Sequence, residues 1–174
     1  MKRTVARTEG FTLVELIIVV VILGILAALA IPQFTTSTQD ANEATLKGDL
    51  AIMRNAANLY YHEHNQVWPG EVKTDGTGAA TAAGDNPDAF TQQLLYYTDR
   101  DGKVSTTKDA LFPYGPYLES LPDNPLNASG SVADAATVTS DLGDLTADAA
   151  PTEGWKFSKL TGKLIGNNTL YESW

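Results

Sequence analysis

The sequence predicts an α+β chain, a long N-terminal helix packed over its second half on a small C-terminal antiparallel sheet with loops. Three observations predict it. An almost wholly apolar run extends from Phe11 to Ile31, broken only by Thr12, Glu15 and Gly24. Apolar residues then recur at Leu46, Leu50, Met53, Ala57 and Tyr60, at spacings of four, three, four and three, which forms one stripe on a helix. Near the end, Gly154 to Ser158 alternates, Thr161-Gly162 turns, and Lys163 to Ile165 returns, the pattern of a β-hairpin.

The first run is long enough to cross a hydrocarbon layer about 30 Å thick, which takes roughly 20 helical residues. It is too long for the apolar part of a secretory signal, about 7–15 residues. Ala28 and Ala30 offer only a poor cleavage pattern, with Ile31-Pro32 directly behind them. Lys2, Arg3 and Arg7 precede the run, so the N-terminus is expected to stay cytoplasmic and the body to be translocated. Pro32 removes one helical hydrogen bond and should kink the rod, yet the helical pattern resumes after it. A helix from Phe11 to about Glu63 is therefore expected, bent near Pro32 and eased at Gly48. Its second half needs something to cover the stripe, and Trp155, Phe157 and Leu164 of the hairpin are the most apolar late residues.

Between these elements the chain reads as follows. Trp68-Pro69-Gly70 ends the helix in a turn, and Glu71 to Pro87 reads as loop. Asp88 is placed as the N-cap of a short helix to about Tyr97, with Phe90, Leu94 and Tyr97 on one side. Asp99 to Gly102 turns the chain. The prolines among Tyr114 to Asn127, with Pro113 just upstream, imply ordered loop, and Ser129 to Pro151 is low-complexity Ala, Asp, Thr, Ser and Gly.

Charge and composition exclude several classes. Net charge is −9 over 174 residues, and the basic leader leaves the remainder more acidic still. An acidic body repels nucleic acid and anionic lipid, so no nucleic-acid partner is expected. There is no cysteine, hence no disulfide and no thiolate metal site. His62 and His64 stand about 200° apart on a helix, poorly placed for one metal. No nucleophile elbow, phosphate loop or His–carboxylate motif is present, so the chain is read as no enzyme. Asn127-Ala128-Ser129 and Asn167-Asn168-Thr169 fit the glycosylation triplet and are read as chance.

The string Gly10-Phe11-Thr12-Leu13-Val14-Glu15 carries most of the functional information. A basic leader ends at a glycine, the apolar helix starts at once, and one carboxylate lies inside it. An ionised group near a bilayer core costs about 2.5–3.5 kcal/mol on insertion scales, so it marks a functional site by default. The bland account is a helix-end acid reaching toward the interface. Together with the run to Ile31 and Pro32, the string resembles the N-terminal signature of type IV pilins and type II secretion pseudopilins, over about Arg3 to Phe34. The resemblance implies a leader at 1–10, a membrane and filament-core helix at 11–33, and a globular head at 34–174. It implies cleavage between Gly10 and Phe11 by a prepilin peptidase, N-methylation of Phe11, and Glu15 meeting the amine of a neighbouring subunit during assembly. It further implies an assembly platform membrane protein, an ATPase, and a helical homopolymer leaving the bacterial inner membrane for the periplasm or cell surface.

Two head segments are similar to major pseudopilins: Tyr114 to Leu118 with Leu121 to Leu126, and Gly154 to Phe157 before Thr161-Gly162-Lys163. Lack of a C-terminal disulfide favours the pseudopilus over a surface type IV pilus. Major pseudopilins hold calcium in the head, which would make Asp123, Asp144 and Asp148 candidate ligands beside Asp134 and Asp141. The spacing fits no EF-hand and the loop lacks the family's acidic-Gly ending, so a solvated acidic loop is the better account and no cofactor is expected. The remaining alternative, a membrane-anchored extracytoplasmic binding domain, leaves Glu15 unexplained.

Overall fold

The structure, a computed structural model, describes residues 11–80, 85–126, 138–141, 145–149, 153–171 and 173. Helix α1 covers Leu13–Glu63. It starts two residues after the expected Phe11 because Thr12 caps it: the Glu15 amide donates to Thr12 Oγ1 (3.3 Å), and the Thr12 amide donates back to Glu15 Oε2 (2.8 Å). This reciprocal pair is a capping box, two otherwise orphaned donors satisfied at one helix end. The helix passes through Pro32 without ending. It stops at the Asn65 and Gln66 backbones, both with positive φ, ahead of the Trp68 to Glu71 turn.

The chain divides into two compact units, Met1–Ala41 and Asn42–Trp174. In the first, the apolar side chains of α1 are exposed all round: Leu13 is 73% exposed, Leu16 61% and Leu29 66%. Two threonine hydroxyls of this unit donate back to the helix, Thr38 to the Phe34 carbonyl at 2.8 Å and Thr35 to the Ile31 carbonyl at 3.4 Å.

In the second unit the predicted stripe is the core. Leu46, Leu50, Met53, Ala57 and Tyr60 are all buried, in one cluster with Trp155, Phe157 and Leu164. The elements around them are α2 (Asp85–Leu95), β1 (Tyr97–Thr98), β2 (Val104–Ser105), β3 (Val138–Asp141), β4 (Trp155–Ser158) and β5 (Leu164–Gly166). The expected hairpin is β4–β5, antiparallel with Phe157 opposite Leu164. Its turn closes through Gly162, whose φ of 72° favours glycine, and a Cβ there would collide with the Trp68 ring. The Trp155 indole N–H donates to the Pro122 carbonyl at 2.8 Å, which is how so large a residue is buried without an unpaired donor.

Four local expectations are corrected. The short helix starts at Asp85, three residues before Asp88, because a first turn tolerates Pro87. It ends at Leu95, and Tyr97 begins β1, so Tyr97 shares no helix face with Phe90 and Leu94. The low-complexity stretch, in which no strand was expected, contains β3, which joins β4 in parallel, while β4–β5 and β1–β2 pair antiparallel as expected. All four residues of β4 are buried, Lys156 and Ser158 included, where alternation suggested one wet face.

Candidate functional site

The N-terminal constellation is Phe11, Thr12 and Glu15. Phe11 precedes α1 and is largely exposed. Glu15 Oε2 accepts from both the Thr12 amide (2.8 Å) and the Thr12 hydroxyl (2.7 Å), so the carboxylate is held at the first turn. A negative group at this end also meets the positive end of the helix dipole. Gly10 lies outside the described residues. Thr12 was missed as a partner, though Thr-x-x-Glu ahead of an apolar run is the capping signature. Pro32 lies within α1, distant in sequence from this end.

Of the two histidines, His62 is exposed and His64 is buried. His64 is buried with both ring nitrogens engaged: Nδ1 with the Tyr60 carbonyl (2.8 Å) and Nε2 with the Thr98 hydroxyl (2.9 Å). A carbonyl only accepts, so Nδ1 carries the proton and the neutral Nε2 accepts from Thr98. Its ring stacks on Tyr60 at 3.7 Å. Burial pushes the imidazole below its ordinary pKa, against weaker raising contacts led by the Tyr60 carbonyl. A cavity of about 260 Å³ beside it is also lined by Tyr60, Asn65, Arg100 and Asp101. With both nitrogens occupied, His64 offers that cavity no base. The Tyr60 hydroxyl is buried with no hydrogen-bond partner among the described residues.

Polar side chains fasten the head where composition predicted only loop. Gln93, fully buried, accepts from the Gly70 amide (2.8 Å) and donates to the Val72 (3.0 Å) and Gly102 (2.8 Å) carbonyls. One amide thus joins three segments, and a buried glutamine satisfied in this way avoids the penalty of an unmade bond. Asn124 Nδ2 donates to the Gly154 carbonyl at 2.6 Å and Asn168 Nδ2 to that of Leu126 at 2.7 Å.

The calcium candidates separate. Asp148 Oδ1 pairs with Lys156 Nζ at 2.9 Å and its Oδ2 accepts from Asn167 Nδ2 at 3.0 Å. These contacts, the Lys156 bond first, hold the carboxyl below its usual range. Both oxygens are spent on protein donors, one of them an ammonium that would repel a divalent ion. Asp123 is exposed. Asp134 and Asp144 lie outside the described residues, as does the Asp141 side chain. Among the described residues no three His, Asp or Glu side chains converge as metal ligands. Asn167 of the second glycosylation triplet is fully buried, and Asn127 of the first lies outside the described residues.

Comparison with known proteins points to the same end of the chain. The family described as the prokaryotic N-terminal methylation motif matches residues 6–31. The chain is 50% identical over 50 residues to the type IV narrow pilus major component of Thermus thermophilus, covering 29% of this chain and 43% of that one. It is 47% identical over 54 residues to type II secretion system core protein G of Pseudomonas aeruginosa, covering 31% and 38%. With core protein G of Aeromonas hydrophila it shares 31% over 84 residues, covering 48% and 59%. The matches thus span less than two thirds of each of these relatives. No solved structure matches. Residues 6–31 carry the prokaryotic N-terminal methylation motif, and part of the chain is similar to type IV pilus and type II secretion core proteins.

Proposed function

We propose that this chain is a structural subunit of a helical filament, processed between Gly10 and Phe11, methylated on the Phe11 amine, and assembled through Glu15. The observation that carries the reading is a coincidence of place. The methylation motif at 6–31 overlaps the start of a helix whose apolar run exposes its side chains all round and holds the one carboxylate within that run, Glu15, at the first turn. Residues 1–10 are then a leader, 11–33 the membrane anchor and later filament core, and 34–174 the head. The first unit stays in an apolar environment throughout, passing from lipid to a bundle of copies. Transfer between two apolar surroundings contributes little hydrophobic free energy, so packing and polar pairing decide register. Glu15 is suited to that: opposite a neighbour's Phe11 ammonium it exchanges the Thr12 contacts for a charge pair, and removing either partner strands the other. Pro32 has no N–H for the Ala28 carbonyl, so the rod bends most readily there.

The subunit would wait in the inner membrane, N-terminus cytoplasmic, and need a prepilin peptidase, a platform membrane protein and an ATPase. Of the two filament types we favour the type II secretion pseudopilus, supported by the cysteine-free head and the core protein G relatives. The second reading is a surface type IV pilus, supported by the match to the Thermus pilus component. Intact-mass analysis of sheared filaments tests the proposal: the subunit should begin at a methylated Phe11. Assembled material retaining residues 1–10 overturns it. Filaments confined to the periplasm support the pseudopilus, and filaments on the cell surface the pilus.

A further inference from the structure

The cavity of about 260 Å³ in the head is lined by polar groups that the fold leaves unused. Its volume is several times the ~30 Å³ share of one water and lies just under the ~300 Å³ at which small-molecule pockets begin. Tyr60 and His64 form its buried wall, and Val67 and Val72 add half-buried apolar surface. The Tyr60 hydroxyl, on a side chain with no solvent exposure, has no hydrogen-bond partner among the described residues. A buried hydroxyl left unmade is costly, so its place beside a cavity points to a group that comes from outside the chain. Burial first, then the nearby charges of Asp99 and Glu71, raises its pKa, so the phenol keeps a proton to donate.

Two exposed side chains of opposite charge, Arg100 and Asp101, complete the lining. Both are positioned. Arg100 Nε donates to Asn65 Oδ1 at 2.8 Å, and Asp99 Oδ1 accepts from the Asp101 (3.0 Å) and Lys103 (2.9 Å) amides, which fixes the turn that carries the pair. The terminal nitrogens of Arg100 and the carboxylate of Asp101 have no protein partner among the described residues.

We infer that this cavity binds a small zwitterion, an α-amino acid with an apolar side chain. Its carboxylate meets the Arg100 guanidinium and the Tyr60 proton, its ammonium meets Asp101, and its side chain packs on Val67 and Val72. A simple anion would meet Arg100 but also Asp101, and a simple cation the reverse, each opposed by a like charge one residue away. A molecule with both signs is opposed by neither. The inference is independent of the filament reading, since every residue in it belongs to the second unit.

The test uses the full chain in detergent, with L-leucine as the probe. Titration calorimetry and thermal unfolding of the head should show saturable binding at millimolar concentration or below and a raised midpoint. N-acetylleucine lacks the ammonium and leucine methyl ester the carboxylate, and each should bind at least tenfold more weakly. Arg100→Gln and Asp101→Asn change exposed side chains, so without ligand they should unfold as the parent does, while leucine affinity falls at least tenfold. Tyr60→Phe removes only the unpartnered hydroxyl, so the empty head should be no less stable than the parent and leucine should still bind more weakly. Absence of saturable binding by leucine, valine and alanine means that the cavity holds water only, and overturns the inference. Leucine affinity unchanged in both Arg100→Gln and Asp101→Asn overturns it as well, as do both blocked derivatives binding as tightly as leucine.

Discussion

Leu16, Ile22 and Leu29 in the first unit are 61%, 52% and 66% exposed, whereas Leu46, Leu50 and Leu94 in the second are at 1% or less. The residue types are the same, and so is the helix that carries most of them. The difference is where the neighbour comes from. In the head, α2, β4 and β5 supply it, and burying one such side chain contributes about 1.5–3 kcal/mol to folding. In the first unit none of the described residues supplies it, and on the filament reading lipid or other subunits cover its apolar surface. A substitution in the first unit should therefore act on assembly and one in the second on folding.

The largest separation is expected at Glu15. Glu15→Ala should leave the unfolding of the head, insertion into membrane and cleavage at Gly10 as in the parent, while filament yield drops at least tenfold. Glu15→Gln keeps the shape and some hydrogen bonding, so it isolates the part due to charge. Comparing subunit in membranes with subunit in sheared filaments measures both, and normal filament yield from Glu15→Ala removes the charge-pair mechanism.

Trp155→Ala should do the reverse. Its fully buried ring leaves a cavity and an unanswered Pro122 carbonyl, at a cost of about 3–5 kcal/mol in denaturant unfolding of the detergent-solubilised chain. Leu16→Ala, assayed in the same way, should leave the midpoint unchanged. An equal loss from both variants would break the distinction between the two units.

The smallest effect is on pH. His64 is held neutral in the folded head, its pKa below the ordinary 6.5. As pH falls below about 6.5 the unfolded chain takes up a proton that the folded head still refuses. The contribution to stability is therefore complete above that pH and declines toward the folded value. Denaturant midpoints at pH 7.5, 6.5 and 5.5 should show a shallow decline that flattens in His64→Gln. A midpoint that rises on acidification contradicts the buried neutral ring.

Legibility from sequence followed the same divide. The stripe from Leu46 to Tyr60 could be read because one face of a helix is buried and the other wet, which writes a period of 3.6 into the chain. The β4–β5 hairpin could be read because its turn demands glycine at position 162. Strand β3 could not, since Val138-Thr139-Ser140-Asp141 looks like the loop around it and owes its place to pairing with β4. Gln93 was equally silent: a glutamine that joins three segments has the same letter as one in solvent. At the N-terminus the opposite happened. Glu15 stood out as a charge in an apolar run, and that prominence hid its ordinary second role as the partner of Thr12 in a helix cap.

The β4–β5 turn has a practical consequence. Leu160 at its tip is 69% exposed, yet two residues on, the Trp68 ring closes the space beside Gly162 to any side chain. A fluorophore or epitope meant to report on this protein can be attached at Leu160. Moved to Gly162, the same label would push out the tryptophan and report on damage of its own making.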